Sequence, residues 1–152
     1  MRKEKYSLFV DEKLGKVTYT KYNKNQSYTG VALCHPNDRD MFSEKVGMDI
    51  AYLRADIKYL QDIKAHLKIK LTFIKDLYDR LCAKENVSIY SVEMKTIRKQ
   101  MYLIKRDIAE TQTDIEKNSD EIKKIIIDSE DFGRRIRANR KKKYTSNKKS
   151  TK

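Results

Sequence analysis

The chain has 152 residues, of which 39% are hydrophobic and 38% charged, enough apolar material for one modest core. One proline and four glycines leave little room for tight-turn β structure and favour long helices. Two cysteines, Cys34 and Cys82, do not form a disulfide framework, and no apolar run reaches membrane length. The composition therefore excludes a membrane-spanning or disulfide-rich class and predicts an intracellular protein with free thiols.

The positive charge is concentrated at one end of the chain. The net charge is +13, yet residues 134–152 contain ten Lys or Arg and no Asp or Glu, which leaves 25 basic and 22 acidic residues elsewhere. We expect 134–152 to form a separate, disordered basic tail, because such a segment buries too little surface to fold alone. It either attracts nucleic-acid phosphates or only keeps the protein in solution.

Residues 5 to 34 show the alternation of apolar and polar side chains that is typical of β-strands. The runs KYSLFVD and KVTYTKY flank EKLGK, in which Gly15 can take a positive φ, and YTGVALC is a candidate third strand. We predict an antiparallel sheet of two or three strands within an N-terminal region, 1–42, that ends in the turn at Pro36. One face of this sheet is apolar and needs another element to cover it.

From about Ser43 the apolar spacing changes to steps of three and four, which predicts a helix of about 40 residues up to Leu81. KENVSIYS interrupts the pattern at 84–91, where Ser88 or Ser91 can cap a following helix. A second long helix then runs to about Asp131, with Gly133 able to end it. Two long helices with a short link fold back as an antiparallel hairpin, so the predicted fold class is α+β, with the hairpin over 43–133.

The second helix carries a heptad seam that includes two polar residues. One heptad row is Met101, Ile108, Ile115 and Ile122, and the other is Ile97, Ile104, Thr111, Asn118 and Ile125. Polar residues on a seam lower stability but fix register or oligomer state. The alternative is that the helix loses its partner past Ile108 and frays. A narrow helical pair leaves apolar edges uncovered, so we expect a homo-oligomer.

The segment from Gly30 to Ala55, GVALCHPNDRDMFSEKVGMDIAYLRA, contains the only proline and an adjacent Cys-His pair. Neighbouring residues on a strand point to opposite faces, so Cys34 and His35 do not chelate one metal, and no zinc or Cys-His catalytic motif is present. We expect Cys34 to be a small buried residue. His35 has a structural use before Pro36 and is also kept as a ligand candidate. Carboxylates before the helix, Asp38 and Asp40, can cap it.

Small residues line the start of the first long helix. Gly47 costs about 1 kcal/mol relative to alanine inside a helix, which close packing against the sheet, or a ligand, would explain. With Ala51 and Ala55 it forms a smooth strip, interrupted by Arg54. Arginine suits bidentate phosphate recognition, and Tyr52 can add stacking, although a solvated Arg54 is the simpler alternative. No phosphate loop or catalytic triad accompanies them, so we expect a binding protein, not an enzyme, with no cofactor or metal.

The motifs GVALCHPND and GMDIAYLRA resemble those of small phage and prophage proteins, in which a β region leads through a Cys-His-Pro-x-Asp turn into a long helix. The resemblance covers Leu14 to Leu60, and the spacer RDMFSEKV is longer than that pattern. Within this group the chain is similar to the Thoeris anti-defence sponges. The resemblance implies a protein of the host-cell cytoplasm that binds cyclic ADP-ribose-type signals without cleaving them, in pockets between protomers, with Arg54 on the phosphate.

Three further arginines, Arg106, Arg134 and Arg135, are ligand candidates only because they are basic and helical. The first hypothesis is thus a phage-encoded anti-defence protein that sequesters an immune signalling nucleotide, of the cyclic ADP-ribose type or a cyclic oligonucleotide. The alternatives are a nucleic-acid-binding phage accessory protein that uses the basic tail, and an inhibitor whose coiled hairpin binds another protein.

Overall fold

The computed structural model describes residues 5–35, 38, 43–84 and 91–149, with side chains described up to residue 138. It shows an α+β protein with a small N-terminal sheet followed by two long helices, which confirms the predicted fold class. The elements, in chain order, are β1 (Lys5–Asp11), β2 (Lys16–Asn23), β3 (Gln26–Leu33), α1 (Glu44–Cys82) and α2 (Val92–Lys149).

The three strands form an antiparallel meander in the order β1-β2-β3. Tyr19 in the central strand lies opposite Leu8 on one side and Gly30 on the other. Gly15 takes the predicted positive φ, 59°, in the first turn, whereas Lys24 has φ 51° in the two-residue second turn. A left-handed lysine is uncommon, so the second turn could not be predicted from its residues.

One face of the sheet packs against α1. The side chains of Val17, Tyr28 and Ala32 point to this face and are buried. The equivalent positions of the edge strand β1 include Tyr6, which is 63% exposed. The helix therefore covers the β2–β3 side of the apolar face and leaves much of β1 uncovered.

The closest approach between sheet and helix occurs at Gly30. A Cβ atom at this position would overlap the backbone oxygen of Ala51 and lie 2.5 Å from the backbone nitrogen of Ala55. Both alanines have 0% exposure, as the smooth strip predicted. The sequence analysis expected the close approach to the sheet, or a ligand, at Gly47. Gly47 is buried too, but it lines an open groove that is described below.

The chain divides into two compact units. Unit 1 comprises Met1–Asp56 and Asn118–Lys152, and unit 2 comprises Ile57–Lys117. The core of unit 1 consists of Val17, Tyr28, Ala32, Ile50, Ala51, Ala55 and Ile122. The core of unit 2 consists of Ile74, Met94, Ile104 and Thr111, so both helices contribute to both cores.

The two polar seam residues are accommodated in different ways. Thr111 is 9% exposed and donates its hydroxyl to the backbone oxygen of Asp107 at 2.7 Å, which satisfies it within its own helix. Asn118 donates to Asp56 on α1 at 3.0 Å. Because α2 stays helical and partly buried through both positions, fraying past Ile108 does not occur.

The helix boundaries differ from the predicted ones in two places. The hydroxyls of Ser43 and Ser91 accept hydrogen bonds from the third residue of α1 and α2 respectively, so Ser43 takes the capping role expected of Asp38. Helix α2 does not end at Gly133 but continues to Lys149. A single glycine costs only about 1 kcal/mol in a helix, too little to end α2 by itself. Ser88 and Asp40 lie outside the described residues.

Candidate functional site

Unit 1 contains a groove of about 650 Å³ between the end of β3, the first turns of α1 and the 125–137 segment of α2. Its apolar lining consists of Ala32, Leu33, Val46, Ile50, Ile125, Ile126 and Phe132. Phe132 is 65% exposed, so a large aromatic surface is open at the groove. The volume lies within the range of small-molecule sites.

Two helical glycines form part of the groove wall. Gly47 on α1 and Gly133 on α2 are both buried and both line the groove. Each stands inside a helix, where glycine is intrinsically unfavourable. A side chain at either position would project from the wall, so these glycines keep the groove open.

Arg54 lies on α1 where the helix passes β3. Its guanidinium donates to the backbone oxygen of Val31 at 2.5 Å, and the side chain borders the groove. A guanidinium has five N–H donors, and this bond uses one of them. The contact with Val31 anchors the charge beside the groove while the other donors stay available to a ligand.

A second arginine, Arg137, reaches the groove from α2. Its Nη2 atom is 2.9 Å from Oδ1 of Asp38, which is buried but receives no well-aimed hydrogen bond. The contact between Arg137 and Asp38 is therefore an ion pair without a hydrogen bond. Asp38 itself is held by the preceding turn, because its amide donates to the oxygen of His35 at 2.9 Å and its oxygen accepts from the thiol of Cys34 at 3.4 Å.

The groove has mixed charge. Two arginines and His35 line it together with four carboxylates, and these are Asp38, Asp49, Asp128 and Glu130. A bare, highly charged anion would meet repulsion from the carboxylates. A ligand with one phosphate region, several hydroxyl or amino donors and a flat apolar ring would find a partner for each part.

Of the side chains predicted as ligand contacts, the structure brings two together at the groove. Arg54 and His35 both line it, His35 being largely exposed. Tyr52 instead packs edge-on against Tyr19, with ring centres 5.4 Å apart, on the helix-facing side of the sheet. It is not among the residues that line the groove.

The three arginines without motif support do not line the groove. Arg106 belongs to unit 2 and lies 3.4 Å from Glu110, a surface ion pair along one helix. Arg134 pairs with Glu130 at 3.7 Å in the same way. Arg135 is an exposed residue of α2.

Sequence reasoning selected Arg134 and Arg135 from the basic segment 134–152 but missed Arg137, because composition alone does not distinguish one arginine of that segment from another. A signal was nevertheless present. Arg137 follows Gly133 by four residues, and Arg54 follows Gly47 by seven, so each arginine shares a helix face with a glycine. Each helix thus places a glycine and an arginine on one face, and in the structure both of these faces line the groove.

Comparison of the chain with protein-family models, with curated proteins and with solved structures finds no match. Among the described residues, no group of three or more His, Cys, Asp or Glu side chains is placed to hold a metal ion. No helix in the part of the chain that the structure describes is long and apolar enough to cross a membrane. Neither Cys34 nor Cys82 forms a disulfide.

Proposed function

We propose that this protein binds a small phosphorylated nucleotide in the unit 1 groove and releases it chemically unchanged. The observation that carries the proposal is the meeting of Arg54, Arg137 and His35 beside an open apolar lining of ligand-pocket size. With the sequence resemblance, this supports a phage-encoded anti-defence protein that sequesters an immune signalling nucleotide, of the cyclic ADP-ribose type or a cyclic oligonucleotide.

The mixed charge of the groove favours a nucleotide over inorganic phosphate. Carboxylates accept hydrogen bonds from ribose hydroxyls and base amino groups, and Asp49 and Glu130 line the groove together with the arginines. An exposed ring such as Phe132 offers a stacking surface to a base. We therefore expect nucleotides to bind well and phosphate or pyrophosphate to bind weakly.

The direct test is to incubate the full chain with cyclic ADP-ribose isomers and cyclic dinucleotides, remove free ligand, denature by heat and identify what is released by mass spectrometry. We expect one class to return intact. Release of a hydrolysed product would contradict sequestration, and retention of none of these ligands would contradict the proposal as a whole.

Two substitutions locate the bound ligand. R54A removes a groove arginine and should weaken binding about 10- to 100-fold, the effect of losing a hydrogen bond to a charged group. R106A is its matched control, because Arg106 is an exposed helical arginine of unit 2. Equal effects of the two would rule out the groove as the binding site.

A third substitution blocks the groove without removing a charge. G133L replaces an unfavourable helix residue by a favourable one and fills the space beside Arg137. We expect binding to be lost while the thermal midpoint is kept or raised. A fully stable G133L protein that binds normally would place the ligand elsewhere.

A second function, nucleic-acid binding, is favoured by one observation. Helix α2 continues through the basic segment to Lys149, so the charges there follow a regular helical backbone. Basic helices suit the phosphate backbone of nucleic acids. Such binding must weaken steeply with salt, because each neutralised phosphate releases counterions; binding that is insensitive to salt would argue against it.

A further inference from the structure

The two edges of the sheet differ in how they are covered. At the β3 edge, the guanidinium of Arg54 donates to the backbone oxygen of Val31. At the β1 edge, residues 5–9 are all exposed, and among the described residues no backbone hydrogen bond joins this strand to anything but β2. Edge strands are normally shielded by charges, proline, a bulge or a covering element. Strand β1 is uncharged between its first and last residues and contains no proline, so it offers an open template to another strand.

The backbone groups that β1 turns to this open edge are those of Tyr6, Leu8 and Val10. The amide of Cys34 donates to the oxygen of Gly15 at 2.8 Å, which continues the β2–β3 register by one pair. Hydrogen-bonded and non-hydrogen-bonded pairs alternate along an antiparallel ladder. The odd-numbered residues of β2 therefore bond β3, and the even-numbered ones bond the odd-numbered residues of β1. The even-numbered residues of β1 point outwards, where water or another strand must satisfy them.

We infer that β1 pairs with β1 of a second copy of this chain, antiparallel about a two-fold axis at Leu8, so that the two sheets become one. A two-fold interface uses the same patch on both copies. In this register Leu8 lies opposite the partner's Leu8, and Tyr6 lies opposite the partner's Val10. These are the residues with outward-facing backbone groups, so each pair exchanges both of its N–H···O bonds. A single axis thus satisfies every outward group of the strand.

The charges at the two ends of β1 select a second copy as the partner and fix this register. The axis at Leu8 places Lys5 directly opposite the partner's Asp11, and symmetry produces this pair twice. Both residues are odd-numbered, so they form a non-hydrogen-bonded pair, in which opposite side chains are closest. Sliding the strands by two residues in either direction separates the charges. A parallel, in-register pair would set each charge against its own copy, which is unfavourable.

The contacts that Asp11 makes within its own chain are compatible with this pairing. Its Oδ1 atom accepts a hydrogen bond from the amide of Leu14 at 3.1 Å. A carboxylate has two oxygens and about four acceptor positions, so Asp11 can receive the partner's Lys5 as well. On β2 the residue opposite Asp11 is Lys16, and the carboxylate would therefore lie between two lysines in a row across the joined sheet.

The same pairing covers apolar side chains that α1 leaves in water. Tyr6 and Leu8, on the α1 side of the sheet, are 63% and 37% exposed. The axis places them beside the partner's Val10 and Leu8. On the other face, Phe9 is 63% exposed and gains the partner's Ser7 as its neighbour. Apolar burial therefore favours the same arrangement as the backbone and the charges.

The first test is the mass of the full chain in native mass spectrometry and light scattering at micromolar concentration. We expect a dimer of the 18.1 kDa chain. K5E sets two carboxylates against each other at both ends of the interface and should raise the dissociation constant about 10-fold. K70E is the matched control, because it changes the charge equally at an exposed position of α1 in unit 2. A monomeric wild-type chain would leave the edge to a strand of another protein and overturns the inference, as does a K5E protein as dimeric as K70E.

Mixing two variants tests the register. K5E alone opposes carboxylate to carboxylate, and D11K alone opposes lysine to lysine. In a mixed dimer, Glu at position 5 of one chain faces Lys at position 11 of the other, and the remaining pair is the native one. The mixture should therefore form heterodimers in preference to either homodimer, as native mass spectrometry can count. A statistical distribution of the three species excludes the proposed register.

Cysteine cross-linking in a C34S/C82S background fixes the axis. L8C should form a disulfide between copies, because the axis brings the two positions together. Y6C should not, because four residues of strand, about 13 Å, separate its two copies. Equal cross-linking of the two variants would show a parallel pair, and an L8C protein that does not cross-link would remove the axis; either result overturns the inference. No residue of β1 lines the groove, so these outcomes are independent of nucleotide binding.

Discussion

At the scale of single residues, the most constrained position is Gly30. Its place on β3 opposite Tyr19 turns its missing side chain towards α1, where the backbone of Ala51 and Ala55 fills the space. Backbone atoms cannot turn aside as a side-chain end can, so added volume must move the whole helix. The sheet and α1 can approach this closely only because residue 30 has no side chain.

The G30A variant should therefore be strongly destabilised. We expect a loss of about 3 kcal/mol in the free energy of unfolding, the upper range for overpacking, measured by urea denaturation of the full chain. V31A is the control, because Val31 is the next residue, faces away from α1 and is 36% exposed. A G30A protein as stable as V31A would mean that helix and strand separate freely.

At the scale of elements, a polar network joins the sheet to both helices of unit 1. Lys21 on β2 lies 3.1 Å from Oδ1 of Asp56 on α1, and Asn118 on α2 donates to Oδ2 of the same carboxylate at 3.0 Å. The side chains of Lys21 and Asp56 are only 11% and 20% exposed. The polar seam residue thus fixes the register of α2 against α1 inside one chain.

Removing the centre of this network should cost stability. We expect D56A to lose about 2 kcal/mol, because Lys21 and Asn118 each lose a hydrogen bond to a charged carboxylate. D120A is the matched control, since Asp120 is 73% exposed and its ion pair with Lys123 should contribute less than about 1 kcal/mol.

A double-mutant cycle between D56A and N118A decides whether the network acts as a unit. The coupling energy should exceed about 0.5 kcal/mol in the same urea denaturation. Strictly additive effects would mean that Asn118 is only a tolerated polar residue on the seam.

At the scale of the whole molecule, the strands and the start of α1 could be predicted because alternation, helical spacing and caps are local signals. The three strands begin and end within about two residues of the predicted runs. The end of α2 could not be predicted, because a single glycine such as Gly133 lowers helix propensity by only about 1 kcal/mol and the helix continues through it to Lys149. Propensity at one position is therefore a weak signal of where a helix ends.

The candidate site could be predicted only in part, for a related reason. Arg54 and His35 both belong to the segment Gly30–Ala55, whose unusual composition predicts a candidate site. Arg137 is more than 80 positions further along the chain than Arg54, and only folding brings it to the same groove. In the sequence, Arg137 is one of ten basic residues between positions 134 and 152, and nothing local distinguishes it.

The two proposed functions separate when the chain is cut after Ala138. Removal of 139–152 takes away seven of the ten basic residues beyond position 133 but keeps Gly133 and Arg137 in the groove. Nucleotide binding, measured by calorimetry, should be unchanged. Any nucleic-acid binding should weaken, and its dependence on salt should flatten, because fewer phosphates are neutralised.

The matched control keeps the full length and replaces the same seven basic residues by glutamine, which separates loss of charge from loss of helix. It should behave as the shortened chain does. If either variant loses the nucleotide while G133L retains it, the ligand is held by the charges of the basic segment and not by the groove. If both variants retain the nucleotide and G133L loses it, the groove is the site, because only its shape has changed.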